Sequence, residues 1–319
     1  MRGVIADQVA ARYQVLEERL CRWAEGEDNL RAVLVFGSRA RSDHAADEWS
    51  DLDVLLLARD PEAYRAASNW VPNIGTPWLS FYEPTPDGRG YELRVLFEGG
   101  LDVDFCLDSV DRFQQALQGG LSPVDADLLS RGVRVLVDKE DSLSECLVTC
   151  SIAPASTSLP SESEFLNAVS DFWFHAVWTT KRLRRGELWR AKYCCDVYLK
   201  RLLLRVLEWH TRASRGPDVD TWMSGRFLRE WADGRAVDAL PAAFAHYDRE
   251  DVQRALLATM DLFRWLAVET ATAAGYAYLY AGDERATEWV RQHAGDALGK
   301  GPPPPFGPST EGRGTSRRL

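Results

Sequence analysis

The sequence predicts an α+β protein: an N-terminal mixed sheet with helices, then a C-terminal helical bundle. Three observations carry this. In the first part of the chain, short apolar runs alternate with Gly-, Ser- and Asp-containing turns, the pattern of strands. Beyond residue 163 the apolar spacing changes to the helical period and keeps it. Between the two, Thr149 to Ser163 is rich in Ser, Pro, Ala and Thr, a linker composition. Domains are therefore expected at 1–150 and 151–298. A tail at 299–319, with four consecutive prolines, glycines and basic residues, has almost nothing to bury and is expected to be disordered. At 319 residues the chain is long enough for two substantial cores.

Taken in order, Val4 to Trp23 shows a helical stripe of Val9, Tyr13, Leu16, Leu20 and Trp23, suited to cover a sheet. Ala32 to Phe36 is a buried strand that stops at Gly37-Ser38, a turn expected to open a helix. Leu52 to Ala58 reads as its neighbour. Pro61 to Ser68 starts on a proline and reads as a short helix. Trp78 to Tyr82 and Tyr91 to Phe97 follow as strands. Glu98-Gly99-Gly100 then turns the chain back into Leu101 to Leu107 as an antiparallel partner. Ser109 to Gln118 is helical, and Val133 to Val137 is a last short strand. In the second domain Glu164 to Arg184 is a helix capped by Ser161, with Glu164 three residues on. Gly186 separates it from a second helix over Glu187 to Arg212. Trp222 to Trp231, Val237 to Tyr247, Asp251 to Tyr276 and Asp283 to Ala297 continue the helical pattern, and short connections favour antiparallel neighbours.

The net charge of −10 argues against a sequence-independent grip on a nucleic-acid backbone and tolerates a cationic ligand. No apolar run reaches membrane-spanning length. Asp7, Glu17 and Glu18 lie within an amphipathic N-terminal pattern that is not a signal peptide. The six cysteines lack metal-ligand spacing and read as reduced thiols of a cytoplasmic protein, expected as a monomer or weak dimer.

Chemistry concentrates in two neighbouring stretches. Asp51 and Asp53, two apart at the start of a strand, point to one face while Leu52 and Val54 point to the other. Two carboxylates held side by side repel each other, and a divalent cation removes that cost. Mg²⁺ prefers oxygen ligands, with phosphates completing its shell. The turn Gly37-Ser38-Arg39 at the end of the preceding strand offers N–H groups and a hydroxyl to phosphate oxygens. A third carboxylate would complete a metal shell or take a proton. Asp102 and Asp104 both qualify by strand parity; Asp104, deeper in its strand between Val103 and Phe105, is preferred.

Gly37-Ser38-Arg39 with Asp51 and Asp53 resembles the Gly-Ser…Asp-x-Asp signature of the DNA polymerase β-like nucleotidyltransferases. Val103-Asp104, Val135-Leu136-Val137-Asp138-Lys139, Phe172-Trp173, Glu187-Leu188 with Ala191, Leu203-Leu204-Arg205 and Trp209-His210 narrow the likeness. Over roughly residues 5 to 295 the chain resembles the aminoglycoside 6-adenylyltransferases, the streptomycin-modifying branch. The resemblance implies ATP as co-substrate, its triphosphate at Gly37 and Ser38 with Arg39 bracing a phosphate, and Mg²⁺ on Asp51, Asp53 and Asp104. It implies attack of an antibiotic hydroxyl on the α-phosphorus, with pyrophosphate leaving and Asp104 as general base or third ligand. The acceptor is a cationic small molecule, whose partners are carboxylates and aromatic faces; Asp171, Trp173 and Glu187 are the candidates. Glu48-Trp49-Ser50, just before Asp51, departs from the family pattern and bears on acceptor choice.

Overall fold

The computed structural model describes residues 2–66, 68–85, 90–141, 143, 144, 147 and 158–294; the expected tail at 299–319 lies outside them. The chain divides into two compact units, Met1–Ala155 and Ser156–Leu319.

The first unit is a six-stranded mixed sheet with helices. Helix α1 (Arg2–Gly26) leads into β1 (Leu30–Phe36), a single 3₁₀ turn at Gly37–Arg39, β2 (Leu52–Ala58) and the one-turn α2 (Glu62–Arg65). Then come β3 (Pro77–Pro84), β4 (Tyr91–Phe97), β5 (Leu101–Ser109), α3 (Val110–Leu117), α4 (Pro123–Ser130) and β6 (Arg134–Asp138). The strand order is β3-β4-β5-β2-β1-β6; β2 and β5 run parallel and every other pair is antiparallel.

Strand parity sorts the sheet into two faces. Val33, Val35, Val54, Leu56, Val103 and Phe105 pack beneath Tyr13, Leu16, Leu20 and Trp23 of α1. Trp70 stacks on Trp23 at 4.9 Å and meets Phe105 edge-on, closing that core. On the opposite face Ala32, Leu34 and Leu57 pack against Val110, Phe113 and Leu117 of α3. Asp53 and Asp104 belong to this second face, in the part nearer the start of β2. The expected helix at Gly37 is only the one 3₁₀ turn, because the chain leaves it at Ala40 for a loop. Sequence reading passed over α4, whose Ser122 hydroxyl caps the Asp125 N–H at 3.1 Å.

The second unit is helical. Its first helix, α5 (Glu162–Arg184), opens on a capping box in which Ser161 and Glu164 satisfy each other's backbone N–H groups. The expected single helix over 187–212 is instead α6 (Leu188–Tyr193), a π-turn at Cys194–Tyr198 and α7 (Leu199–Arg215). At that wider turn the Lys200 ammonium donates to the Cys195 carbonyl at 2.8 Å and to the Thr259 hydroxyl at 2.9 Å. The expected helix at 222–231 reduces to a 3₁₀ turn (Met223–Gly225) and α8 (Leu228–Trp231). Left-handed backbone at Trp222, Ser224 and Phe227 breaks it. Helices α9 (Gly234–Ala243), α10 (Arg249–Ala274) and α11 (Tyr280–Ala294) complete the unit. The core is dense: Phe172 of α5 stacks on Phe263 of α10 at 3.6 Å, and Leu199, Leu203 and Val206 of α7 are fully buried with them. Among the described residues no helix is long and apolar enough to cross a membrane. Cys194 and Cys195 are buried, Cys21 and Cys106 half-buried, and all four are free thiols. Cys146 and Cys150 lie outside the described residues.

Candidate active site

Backbone register alone brings the predicted acids together. Asp53 of β2 stands opposite Asp104 of β5 in the parallel pair, and Asp51 lies just before β2. One carboxylate oxygen from each of Asp51, Asp53 and Asp104 lies within 4.8 Å of the others. Asp51 and Asp53 are half-buried and Asp104 is buried. Burial pushes the Asp104 carboxyl up to about 6, against the downward pull of Arg94 and helped by Glu92, Asp51 and Asp102. Such an all-oxygen, like-charged set suits a hard divalent cation such as Mg²⁺.

The turn beside these acids is built for close approach. Gly37 has φ +68°, and a Cβ there would come within 2.0 Å of Asp53 Oδ2. The glycine is thus required twice, by the backbone and by the carboxylate pressed against it. Next to it the Ser38 hydroxyl is buried and has no hydrogen-bond partner among the described residues. A buried, unsatisfied hydroxyl is costly, and a phosphate oxygen would satisfy it.

Arg39, expected to brace a phosphate, turns back on the chain. Its Nε donates to the Asp51 carbonyl at 2.8 Å and Nη2 to the Ser50 carbonyl at 2.7 Å, with the guanidinium 3.5 Å above the Tyr13 ring. It therefore anchors the loop that delivers Asp51. Trp49 in that loop is 85% exposed. Asp102 does not join the cluster of three; its carboxylate accepts from the Tyr13 hydroxyl at 3.1 Å. Burial, then Asp102, pushes that phenol up to about 12. Cys106, two residues past Asp104, is pushed up to about 12 by burial, so its thiol stays neutral.

Sequence reading missed Arg94 and Glu92 of β4. Arg94 lies directly across the β4–β5 hairpin from Asp104, and its Nη1 reaches Asp104 Oδ2 at 3.0 Å. The signal was present: two charged residues alternating within the apolar run Tyr91–Phe97, with Arg94 and Asp104 equally far from Gly99.

The three residues expected to hold the acceptor lie apart in function. Asp171 of α5 accepts the Tyr198 hydroxyl at 3.0 Å and sits 2.6 Å from His175 Nδ1. Its two partners, His175 and Tyr198, line a cavity of about 390 Å³ together with Trp178, Trp189, Arg190, Tyr193 and Cys194; Asp171 itself does not line it. Trp173 is buried against Phe172 and Phe263, and its Nε1 donates to the Tyr278 hydroxyl at 3.3 Å. Its ring is largely buried, because the helical stripe that carries it faces α10, where the Arg264 guanidinium lies 5.2 Å from it; its edge lines a cavity of about 370 Å³. Glu187 is surrounded by Arg185 at 2.5 Å, Arg190 at 3.0 Å and Arg182 at 3.1 Å. Arg185 first and then Arg182 hold its carboxyl down to about 2. That carboxylate already has three cations.

A sequence model of the streptomycin adenylyltransferase family matches residues 12–293. An aminoglycoside 6-adenylyltransferase of Bacillus subtilis (strain 168) is 23% identical over 277 residues, 84% of this chain and 93% of its own. One from Staphylococcus aureus is 22% identical over 268 residues, 80% of this chain and 89% of its own. Among solved structures, an aminoglycoside 6-adenyltransferase from Bacillus subtilis covers 87% of this chain and 98% of its own, with 17% identity and a TM-score of 0.42. The family match begins at Arg12, one residue before the tyrosine that Arg39 stacks on, and ends at His293 in the last helix. With that extent of match, the chain belongs to the streptomycin adenylyltransferase family and is an adenylyltransferase.

Proposed function

We propose that the enzyme transfers AMP from ATP to a hydroxyl of an aminoglycoside, with the 6-hydroxyl of streptomycin as acceptor, and releases pyrophosphate. The observation that carries this reading is the convergence of Asp51, Asp53 and Asp104 beside the glycine-serine turn. The names of the similar proteins from Bacillus subtilis and Staphylococcus aureus support the acceptor class.

The chain's own groups divide the work. Ser38 and the turn at Gly37 receive phosphate oxygens of ATP. Asp51 and Asp53 hold magnesium, with Asp104 close enough to share it. When bound, that ion supplies charge neutralisation on the phosphates. Asp104, buried on the same face, accepts the proton of the attacking hydroxyl as the new oxygen–phosphorus bond forms and the bond to pyrophosphate breaks. Arg39 keeps Asp51 in place through the backbone of its loop. Most of the acceleration is then positioning and charge compensation. For the acceptor, Trp189, Tyr193 and Tyr198 of the cavity offer flat π faces, which suit guanidinium groups. The Asp171 carboxylate is bonded to two lining residues, Tyr198 and His175, and Arg190 is also on the lining.

The test is incubation of the full chain with ATP, Mg²⁺ and streptomycin, followed by mass spectrometry of the antibiotic and assay of pyrophosphate. The expected result is the mass gain of one adenylyl group, located on the 6-hydroxyl by NMR. Pyrophosphate release with other aminoglycosides but not streptomycin would overturn the acceptor assignment. No transfer to any aminoglycoside would overturn the reading.

A further inference from the structure

We propose that Arg94 is a positioning residue for Asp104, aimed by Glu83 and Glu92. The inference rests on the three-carboxylate reading above. Arg94 and Asp104 are direct register partners, as are Glu92 and Glu83 on the neighbouring strands. The guanidinium is gripped from the side away from the cluster: Nε lies 2.5 Å from Glu83 Oε2, and Nη2 lies 2.8 Å from Glu92 Oε1. Nη1 is thereby pointed at Asp104 Oδ2, 3.0 Å away. A planar fork can serve carboxylates on two sides at once, which a lysine's point charge cannot.

Glu92 and Asp104 are both buried, and Arg94 faces each of them. Pairing Glu92 alone would not need the arm that reaches Asp104. The extra arm fixes the Asp104 rotamer and engages one of its two oxygens, leaving the other to the cluster. Two consequences follow, and they move different observables. As a brace, Arg94 holds Asp104 in one pose toward the attacking hydroxyl, so its loss slows turnover. As a fixed positive charge beside the acids, it weakens their hold on a divalent cation, so its loss tightens metal binding. The repulsion removed outweighs the rotamer freedom one carboxylate regains.

The experiment titrates Mn²⁺ into the nucleotide-free full chain, followed by electron paramagnetic resonance, alongside steady-state kinetics. Arg94→Gln is expected to bind Mn²⁺ about tenfold more tightly. It is expected to turn over about a hundredfold more slowly, with KM for ATP within about twofold of the parent. A loosened fold would weaken both, so opposite movements identify positioning. Weaker Mn²⁺ binding in the variant, or turnover within about twofold of the parent, overturns the proposal. If Arg94→Gln does not fold, Glu83→Gln decides: it removes only the half-exposed tether and is expected to lower kcat about three- to tenfold. An unchanged kcat in Glu83→Gln overturns it. A parent protein that binds no Mn²⁺ would instead sink the three-carboxylate site itself, a separate failure.

Discussion

The sheet unit and the helical unit place their acidic residues by different means. In the sheet, Asp53, Asp104 and Arg94 lie in one cross-strand line fixed by backbone pairing, so their neighbours are set before any side chain chooses a rotamer. In the helical unit, Asp171 and Glu187 are held by side chains rather than by backbone pairing. Tyr198 of the π-turn and His175 one turn on meet Asp171, and Arg182, Arg185 and Arg190, all within five residues, gather on Glu187. A carboxylate on a strand face can be kept clustered with its like; a carboxylate on a helix surface collects countercharge. The first arrangement stores electrostatic repulsion that a cation relieves, and the second has already relieved it.

The largest effect should come from the sheet. Asp51→Asn and Asp53→Asn are expected to lower transfer about a thousandfold or more while leaving the melting temperature near that of the parent. Asp104→Asn should fall similarly, and Asp102→Asn, tied to Tyr13 rather than to the cluster, should stay within about fivefold. Near-normal turnover in Asp53→Asn would break the comparison at its root. Gly37→Ala sharpens it: the new methyl group meets the Asp53 carboxylate and the backbone is left-handed. Transfer should drop about a hundredfold. Stability should drop by about 1–3 kcal/mol, read by urea unfolding.

Phe263→Ala tests the other unit on its own terms. It opens a cavity against Phe172 and should cost that unit about 3–5 kcal/mol of unfolding free energy, read from its urea unfolding curve. Asp171→Asn should raise the KM for streptomycin about tenfold and leave the KM for ATP unchanged. An unchanged acceptor KM would remove Asp171 from the acceptor site. The smallest effect belongs to Glu187. Its carboxyl is depressed from an ordinary 4.5 to about 2 in the folded chain. The stabilisation it provides is therefore present above about pH 4.5 and lost as the pH falls toward 2. Glu187→Gln should flatten the stability-against-pH curve in that window only, by a modest amount because the group is exposed. A curve that keeps its slope would mean the three arginines contribute nothing.

How far the sequence could be read follows from the same contrast. Strand parity was enough to put Asp51 and Asp53 on one face and Asp104 on another strand, and the structure brings those three together. The symmetric turn about Gly99 could also have placed Arg94 opposite Asp104, but an arginine inside an apolar run has no motif to announce it. On helices the 3.6-residue period identifies the buried stripe and says little about which neighbour it meets. Trp173 shows this: its position in the stripe of Phe172 and Ala176 buries it, and the cation its ring meets is the chain's own Arg264, 5.2 Å away. Trp222 to Trp231 has helical spacing as well, but Trp222, Ser224 and Phe227 are left-handed, and Trp222 meets Phe227 edge-on only five residues away. A helical period carries no record of such backbone breaks.

The π-turn at Cys194–Tyr198 has a consequence for altering the protein's length. It accommodates one residue more than an unbroken α-helix would over the same rise. Removing that extra residue would let the segment close to plain α-helix over the same rise, so the register on either side is kept. Leu199, Leu203 and Val206 would still face the interior. A trim of one residue here is thus milder for the fold than the same trim inside α7, where everything downstream would turn by about 100°.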